Sequence, residues 1–169
     1  MRKFLISGIF LFVFASNLFS NTNHFANYIG IWGGISTGRG ISYRYRFPEW
    51  GWQVQFVPLY YDKSCYFSLG GIFQRFLVQL DSSSLFLYLG MEWMYSSYSY
   101  YEYTEDGQGA EKTYETGNFN LSIGPGFEVY LLDRVVVTLC FGYAIYNTVY
   151  PAGAFSLNFD FGIGLFYRF

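Results

Sequence analysis

The sequence is poor in the side chains on which most enzymes and soluble domains depend. Charged residues make up 13% of its 169 residues, about half of the share found in ordinary globular proteins. It contains a single histidine, His24, and histidine is the residue most often used as a general base near neutral pH. Ser-His-Asp catalysis is therefore not expected, and we predict that the protein is not an enzyme.

Cysteine is also scarce, with Cys65 and Cys140 as the two examples. They fall on predicted strands that are not neighbours, so their Cα atoms should be too far apart for a disulfide bond. So few soft ligands also argue against zinc, and we expect neither a metal nor a cofactor. The net charge of −2 gives no reason to expect a nucleic acid as a partner.

Beyond the amino terminus, no apolar run reaches the ~18 residues that a membrane-spanning helix needs. The amino terminus has two basic residues, an apolar run over residues 4–15 and small residues up to Ser20, which is the order of a secretory signal peptide. We therefore predict a signal peptide over residues 1–20, with an uncleaved membrane anchor as the alternative, and an exported domain over residues 21–169. Export without membrane helices leaves a soluble secreted β-protein or a β-barrel in an outer membrane.

What the chain has in abundance is aromatic residues, 25% of the total, arranged in alternating segments. The last segment shows the pattern most clearly. Its odd-numbered positions are large and apolar: Phe155, Leu157, Phe159, Phe161, Ile163, Leu165, Tyr167 and Phe169. Its even-numbered positions, from Ser156 to Arg168, are mostly small or polar. Because side chains alternate across a strand, the pattern predicts a β-strand with one apolar face.

The same alternation recurs along the chain, interrupted by turn residues and without a 3.6-residue period. We predict strands near residues 28–36, 41–47, 52–60, 65–77, 85–93, 119–131, 135–145 and 154–169. Gly70 and Gly71 indicate a bulge in the fourth strand, whose phase is open because both of its faces are apolar. An even number of strands lets a barrel close with both chain ends on one side. The predicted fold is all-β: a closed antiparallel up-and-down transmembrane β-barrel of about eight strands.

One connection between the predicted strands is long and acidic, near residues 96–117. With the amino end in the periplasm, this stretch becomes a long extracellular loop, the usual asymmetry of outer-membrane barrels. The exposed tyrosines and acidic groups of the loop are a candidate binding surface for an unidentified extracellular ligand. The candidate residues are Tyr98, Tyr100, Tyr101, Glu102, Tyr103, Glu105 and Asp106. The alternative is a hairpin that only extends above the membrane, with solvated acidic side chains.

The glycine-rich, weakly charged face of the strands would make a poor surface toward water. The interior of an eight-stranded barrel is narrow, and small residues beside a few large polar ones fit it well. We therefore predict that the apolar face contacts lipid and that six charged residues point inward: Arg44, Arg46, Glu92, Glu128, Asp160 and Arg168. Charges in so narrow a lumen are expected to pair and plug it. The alternative is a small channel or transporter in which these charges line a path for protons, ions or small solutes.

The chain from residue 27 to residue 169 resembles the small bacterial outer-membrane β-barrels of the OmpA and OmpX size class. Its terminal row of Leu165, Tyr167 and Phe169 resembles the carboxy-terminal signal that the outer-membrane assembly machinery reads in those proteins. The resemblance implies an outer-membrane monomer whose partners are outer-membrane lipids and that machinery, with a structural or surface-interaction role. A soluble lipocalin-like barrel is the remaining alternative.

Overall fold

The computed structural model describes residues 26–61, 63–103, 109–146 and 156–169. These residues form eight antiparallel strands that are joined in chain order into a closed barrel, which confirms the predicted fold. The strands are β1 (Ala26–Gly34), β2 (Arg39–Arg46), β3 (Trp50–Tyr61), β4 (Ser64–Gln79), β5 (Ser83–Tyr103), β6 (Gly109–Leu131), β7 (Val135–Tyr146) and β8 (Ser156–Arg168). The described part contains no helix that could cross a membrane. The predicted signal peptide and His24 lie outside the described residues.

The wall of the barrel has very unequal heights. Strands β1 and β2 contain 9 and 8 residues, whereas β5 and β6 contain 21 and 23. The described residues begin and end at the same end of the barrel as the three short turns, here called the terminal end, and β5 and β6 rise furthest at the opposite hairpin end. Most of the stretch predicted as a long loop near residues 96–117 is therefore strand, because β5 and β6 stay paired as far as Tyr103 and Gly109.

The two faces of the wall differ in the way that the alternation predicts. In β8, the apolar residues Phe161, Ile163 and Leu165 are exposed on the outside, while Gly162 and Gly164 face inward and are buried. The buried interior is rich in polar groups: Arg44, Arg46, Gln53, Gln55, Gln74, Glu92, Glu128 and Asp160 are all nearly inaccessible. An apolar exterior around a polar interior is the reverse of a water-soluble barrel, and it is the arrangement that a lipid environment stabilises.

Aromatic rings fill much of the lumen, which the sequence alone indicated only in part. Trp32 of β1 and Phe76 of β4 point inward and are buried, together with Phe86 and Phe166. The inward directions of Trp32 and Phe76 were missed, because glycines blur the alternation of the first strand and because the fourth is apolar on both faces. The Trp32 ring takes the space that a side chain at Gly162 would occupy, so a small residue on β8 makes room for a large one on β1.

The connection between β1 and β2 folds into the barrel and is called the inner turn here (residues 35–38). Ser36 and Thr37 of this turn are fully buried. The Trp32 indole Nε1 donates a hydrogen bond to the Thr37 hydroxyl at 3.0 Å, and the Gln55 side-chain amide donates to the Thr37 carbonyl. The Ser36 backbone N–H donates to the Asp160 carboxylate at 3.2 Å. The inner turn is thus held from both sides and crosses the lumen.

The bulge predicted at Gly70 and Gly71 is not there, because both glycines pair in register with β3 and β5. The register shift of β4 lies instead between Phe76 and Val78, near the terminal end of the barrel. The backbone at Gly70 packs directly against Thr37 of the inner turn, so that a Cβ atom there would collide with the Thr37 carbonyl. The glycine is needed to seat the turn, and it does not bend the strand.

Candidate functional site

Three of the predicted inward charges meet in the lumen and are called the arginine cluster: Arg44, Arg46 and Glu128. The two arginines are two residues apart on β2, so their side chains leave the same face of the strand. Glu128 of β6 accepts from both of them, from Arg44 Nη1 at Oε1 and from Arg46 Nη1 at Oε2, the latter at 3.0 Å. Each of the three side chains is 3% exposed or less, so the ion pairs are shielded from water.

Neutral groups accept most of the remaining hydrogens of the two guanidinium groups, whereas the buried Arg46 Nε has no hydrogen-bond partner among the described residues. Arg44 donates to the side-chain oxygen Oε1 of Gln53 at 2.5 and 2.9 Å and to the Thr138 hydroxyl at 3.1 Å. Arg46 donates to the Ser84 hydroxyl at 3.0 Å and to the side-chain oxygen Oε1 of Gln79 at 2.9 Å. Such neutral acceptors stabilise a buried guanidinium group without cancelling its charge.

Aromatic faces contribute to holding the positive charges. The Arg44 guanidinium carbon lies 4.1 Å from the centre of the Phe166 ring, and that of Arg46 lies 3.8 Å from the centre of the Phe76 ring. Both distances are short enough for cation–π attraction, which strengthens when the groups are removed from water. The inward aromatic rings therefore do more than fill space: they help one carboxylate to hold two cations.

The other three predicted charges do not join the arginine cluster. Glu92 is buried and accepts from Ser68 Oγ at 2.8 Å and from Asn120 Nδ2 at 3.1 Å. Asp160 is buried and accepts from the Tyr88 hydroxyl at 2.6 Å, besides the Ser36 backbone N–H. Arg168 is only half-buried and donates to the carbonyl oxygen of Asp133 in the last short turn at 2.6 Å. An inward phase places a side chain on the correct face, but it does not give its height along the barrel.

Three exposed tyrosines pack together on one face of the β5–β6 hairpin and are called the tyrosine cluster: Tyr98, Tyr100 and Tyr114. The Tyr98 ring centre lies 6.1 Å from that of Tyr100 and 5.3 Å from that of Tyr114. All three rings are 44–51% exposed. Tyr98 and Tyr100 were predicted as binding residues, whereas Tyr114 was missed because it reaches them from the facing strand, where it is the direct partner of Tyr98.

The other predicted binding residues do not belong to the tyrosine cluster. Tyr101 lies on the opposite face of the hairpin, where its hydroxyl oxygen accepts from Lys63 Nζ at 3.4 Å. Lys63 also pairs with Glu111 at 2.6 Å, and these hydrogen bonds raise the pKa of its ammonium group. Glu102 and Tyr103 belong to β5, and the candidates Glu105 and Asp106 lie outside the described residues.

The carboxy-terminal row predicted as an assembly signal stands on the outer face of β8. Leu165, Tyr167 and Phe169 are all exposed, Phe169 to 65%. The Phe169 backbone N–H donates to the carbonyl oxygen of Asn27 at 3.0 Å, and Arg134 donates to the Tyr167 hydroxyl oxygen at 2.8 Å. The row is thus accessible from outside the barrel, while the backbone beneath it is tied to β1.

We expect Phe169→Asp to reduce the amount of folded barrel in the outer membrane severalfold while export across the inner membrane continues. The substitution puts a charge at the end of an apolar, outward-facing row. The folded fraction is measured as the band that migrates faster on a gel without boiling, in isolated outer membranes. The control is Tyr61→Asp, since Tyr61 is an exposed aromatic residue at the hairpin end. Equal yields of the two variants would mean that Phe169 serves only as lipid-facing packing.

The described residues offer little for metal or thiol chemistry. Within them, no group of three or more His, Cys, Asp or Glu side chains is arranged to hold a metal ion. Cys65 and Cys140 are both free thiols, on strands that are not neighbours.

A closed antiparallel ring with an apolar exterior and a polar, hydrogen-bonded interior defines a membrane-spanning β-barrel. The sequence matches no protein-family model and no curated protein. Among solved structures, outer membrane protein H (OprH) of Pseudomonas aeruginosa in micelles aligns at 13% identity with a TM-score of 0.55, over 85% of this chain and 99% of that one. This likeness shows the fold, which is that of the small bacterial outer-membrane barrels.

Two further barrels align over similar shares of the chain. The N-terminal β-barrel domain of Pseudomonas aeruginosa OprF matches at 13% identity and a TM-score of 0.48, covering 85% of this chain and 97% of that one. Ail, the attachment invasion locus protein of Yersinia pestis, matches at 15% identity and a TM-score of 0.40, covering 86% and 97%. The architecture and the apolar exterior of the chain are those of a bacterial outer-membrane protein, as the sequence predicts.

Proposed function

We propose that the protein is a monomeric surface-interaction barrel of the outer membrane, with a closed lumen and with the β5–β6 hairpin as its working part. The observation that carries the proposal is the height of this hairpin. Strand β4 pairs with β5 only as far as Tyr98, and β7 pairs with β6 only as far as Leu121. From these residues onward the hairpin rises over the rest of the described wall, and the tyrosine cluster lies where it begins to rise above β4.

The tyrosine cluster has the properties of a recognition surface. A tyrosine ring supplies a large amphipathic contact area and loses little conformational entropy on binding, since it has only two side-chain torsions. Contacts between Tyr98 and its two neighbours hold the rings in place before a partner arrives. A preorganised aromatic patch binds more tightly than a mobile one, because less order has to be imposed on association.

The filled lumen favours this role over transport. Side chains occupy the interior of a barrel with eight strands, so such a barrel has no open channel unless they move. Here the arginine cluster, the inward aromatic rings and the inner turn all occupy the lumen. Opening a path would require breaking ion pairs that are shielded from water, which is costly. A channel role would require a measurable conductance through the barrel.

We expect the triple replacement of Tyr98, Tyr100 and Tyr114 by alanine to weaken adhesion at least tenfold, since truncation of a central aromatic contact costs more than about 1 kcal/mol. The measurement compares cells that display each variant on immobilised extracellular-matrix proteins and glycans. The matched control replaces Tyr60 and Tyr61, which are also exposed but belong to β3. The proposal is contradicted if the triple variant adheres as strongly as the wild type, or if the control replacement weakens adhesion equally. It is also contradicted if the wild-type protein binds none of these surfaces.

A further inference from the structure

Two glutamine side chains of β3 join the arginine cluster to the inner turn. Gln53 and Gln55 are two residues apart, so both point into the lumen, and both are fully buried. Arg44 Nε and Nη2 donate to Gln53 Oε1 at 2.9 and 2.5 Å, and Gln53 Nε2 donates to Gln55 Oε1 at 3.1 Å. Gln55 Nε2 then donates to the backbone carbonyl of Thr37 in the inner turn. Gln53 and Gln55 are together called the glutamine relay.

Both ends of the glutamine relay require the same orientation of its side-chain amides. A guanidinium group only donates hydrogen bonds, so Gln53 must turn its oxygen toward Arg44 and its NH₂ group toward Gln55. A backbone carbonyl only accepts, so Gln55 must turn its NH₂ group toward Thr37 and its oxygen toward Gln53. The two requirements agree. The relay therefore has one direction, in which each amide donates toward the inner turn.

The inner turn is fitted closely to the last amide of the relay. Thr37 is fully buried, so bulk water does not replace a donor that its carbonyl loses. The next residue, Gly38, has a φ of 84°, a conformation that favours glycine. A Cβ atom on Gly38 would lie only 3.2 Å from Gln55 Cγ and 2.8 Å from Gly70 Cα. Close packing and a buried hydrogen bond thus hold the turn against Gln55.

The charges beside the relay allow its direction to be reversed without removing its contact with Arg44. The arginine cluster contains two guanidinium groups and one carboxylate, that of Glu128. A second carboxylate next to Arg44 would balance this charge, and Gln53→Glu supplies one with almost no change in size. The new side chain still accepts from Arg44, but it has no NH₂ group with which to donate to Gln55. Gln55 then faces acceptors on both sides, and its single NH₂ group can serve only one of them.

We propose that the glutamine relay is a latch for the inner turn, in the sense that its direction keeps the turn seated in the lumen and its reversal lets the turn leave. Arg44 is a positioning residue in this device, because it sets the direction of the relay and acts on the turn through it. The device belongs to the lumen and is separate from the tyrosine cluster. It makes the inner turn the movable part of an otherwise fixed interior.

The test measures backbone hydrogen exchange by NMR in the full-length protein, folded in detergent micelles, with and without Gln53→Glu. Two amides report the seating of the turn. The Gly34 N–H donates to the Gly38 carbonyl at 2.9 Å, and the Ser36 N–H donates to the Asp160 carboxylate at 3.2 Å. Amides in the middle of β7 report the barrel wall, and urea titration in phospholipid vesicles reports the free energy of unfolding of the whole barrel.

Two further variants complete the experiment. Gln55→Leu removes the donor to the inner turn directly. Gln74→Leu is the matched control, because Gln74 is an equally buried, inward glutamine of β4 whose side-chain amide has no hydrogen-bond partner among the described residues. It therefore removes an amide from the lumen without touching the relay.

We expect Gln53→Glu and Gln55→Leu each to raise the exchange rates of the two turn amides about tenfold, because each leaves a buried carbonyl without its donor. The double variant should exchange no faster than Gln55→Leu alone, since both changes remove the same bond. The wall amides and the unfolding free energy of Gln53→Glu should remain those of the wild type. Gln74→Leu should leave the turn amides unchanged.

Three results would overturn the proposal. A rise in Gln55→Leu without one in Gln53→Glu would show that the direction of the relay does not matter. An equal rise in Gln74→Leu, or a parallel rise in the wall amides, would show a general loosening of the barrel. No rise in either relay variant would show that the contacts of the turn with Trp32 and Asp160 are sufficient to hold it.

Discussion

Replacement of Glu128 by glutamine is expected to destabilise the barrel more than any other single change to a charged group. Glu128 is the carboxylate that Arg44 and Arg46 share, and all three side chains are almost completely buried. Without it, two guanidinium groups lie in a narrow lumen with no opposite charge in contact. Removing one partner of a buried ion pair costs about 3–5 kcal/mol. Urea titration of the protein in phospholipid vesicles measures this loss of unfolding free energy.

Two control proteins separate the effect of buried charge from that of charge alone. Glu111→Gln removes the partner of Lys63 in an exposed pair, which should change the stability only slightly because water screens exposed ion pairs. In a second control, Arg44→Met and Arg46→Met are added to Glu128→Leu, so that all three charges disappear together. We expect this triple variant to recover part of the lost stability, because apolar replacement of a whole buried ion cluster is often neutral. If Glu128→Gln lowered the unfolding free energy as little as Glu111→Gln, the result would contradict the buried ion pairing of the arginine cluster.

The second large effect is expected on the outer face, from Ile163→Arg. Ile163 lies near the middle of β8 and is exposed on the apolar exterior. An arginine near the middle of the bilayer costs a transmembrane barrel about 2–4 kcal/mol, and the cost falls toward the interfaces. The same titration in vesicles measures it.

The control for this prediction is Leu132→Arg, in the last short turn at the terminal end. Leu132 is 82% exposed, but it lies outside the belt, so the change should stay within about 0.5 kcal/mol. If both arginines were tolerated equally, the exterior of β8 would not be in contact with the bilayer core.

Local alternation was sufficient to predict the strands, the closed fold and the direction of most faces. The last strand is the clearest case, because its large apolar residues alternate with mostly small or polar ones and the observed exposures follow the alternation. The first and fourth strands were harder to interpret. Glycines remove the contrast between the two faces of the first strand, and apolar residues on both faces remove it in the fourth strand. The inward rings of Trp32 and Phe76 were therefore not predicted.

Contacts between distant residues could not be read from the alternation. Arg44 and Glu128 meet across the lumen because the register and tilt of the strands bring them to the same height, and neither quantity is visible in one sequence. Glu92 and Asp160 share their inward phase but bind neutral donors elsewhere. The inward folding of the inner turn could not be predicted either, since its short polar sequence fits an outward-pointing turn equally well. Tyr114 was missed for a related reason, because its partner Tyr98 lies on the facing strand.

Conductance across a planar lipid bilayer tests the closed lumen most directly. The purified full-length protein is reconstituted, and the current is recorded under an applied voltage. Because the arginine cluster and the inner turn occupy the lumen of a barrel that is too narrow to hold an open channel as well, we expect no stepwise current above that of the bare bilayer. A reproducible, ion-selective conductance that changes when Arg44 or Glu92 is neutralised would contradict this account and would identify the protein as a small channel.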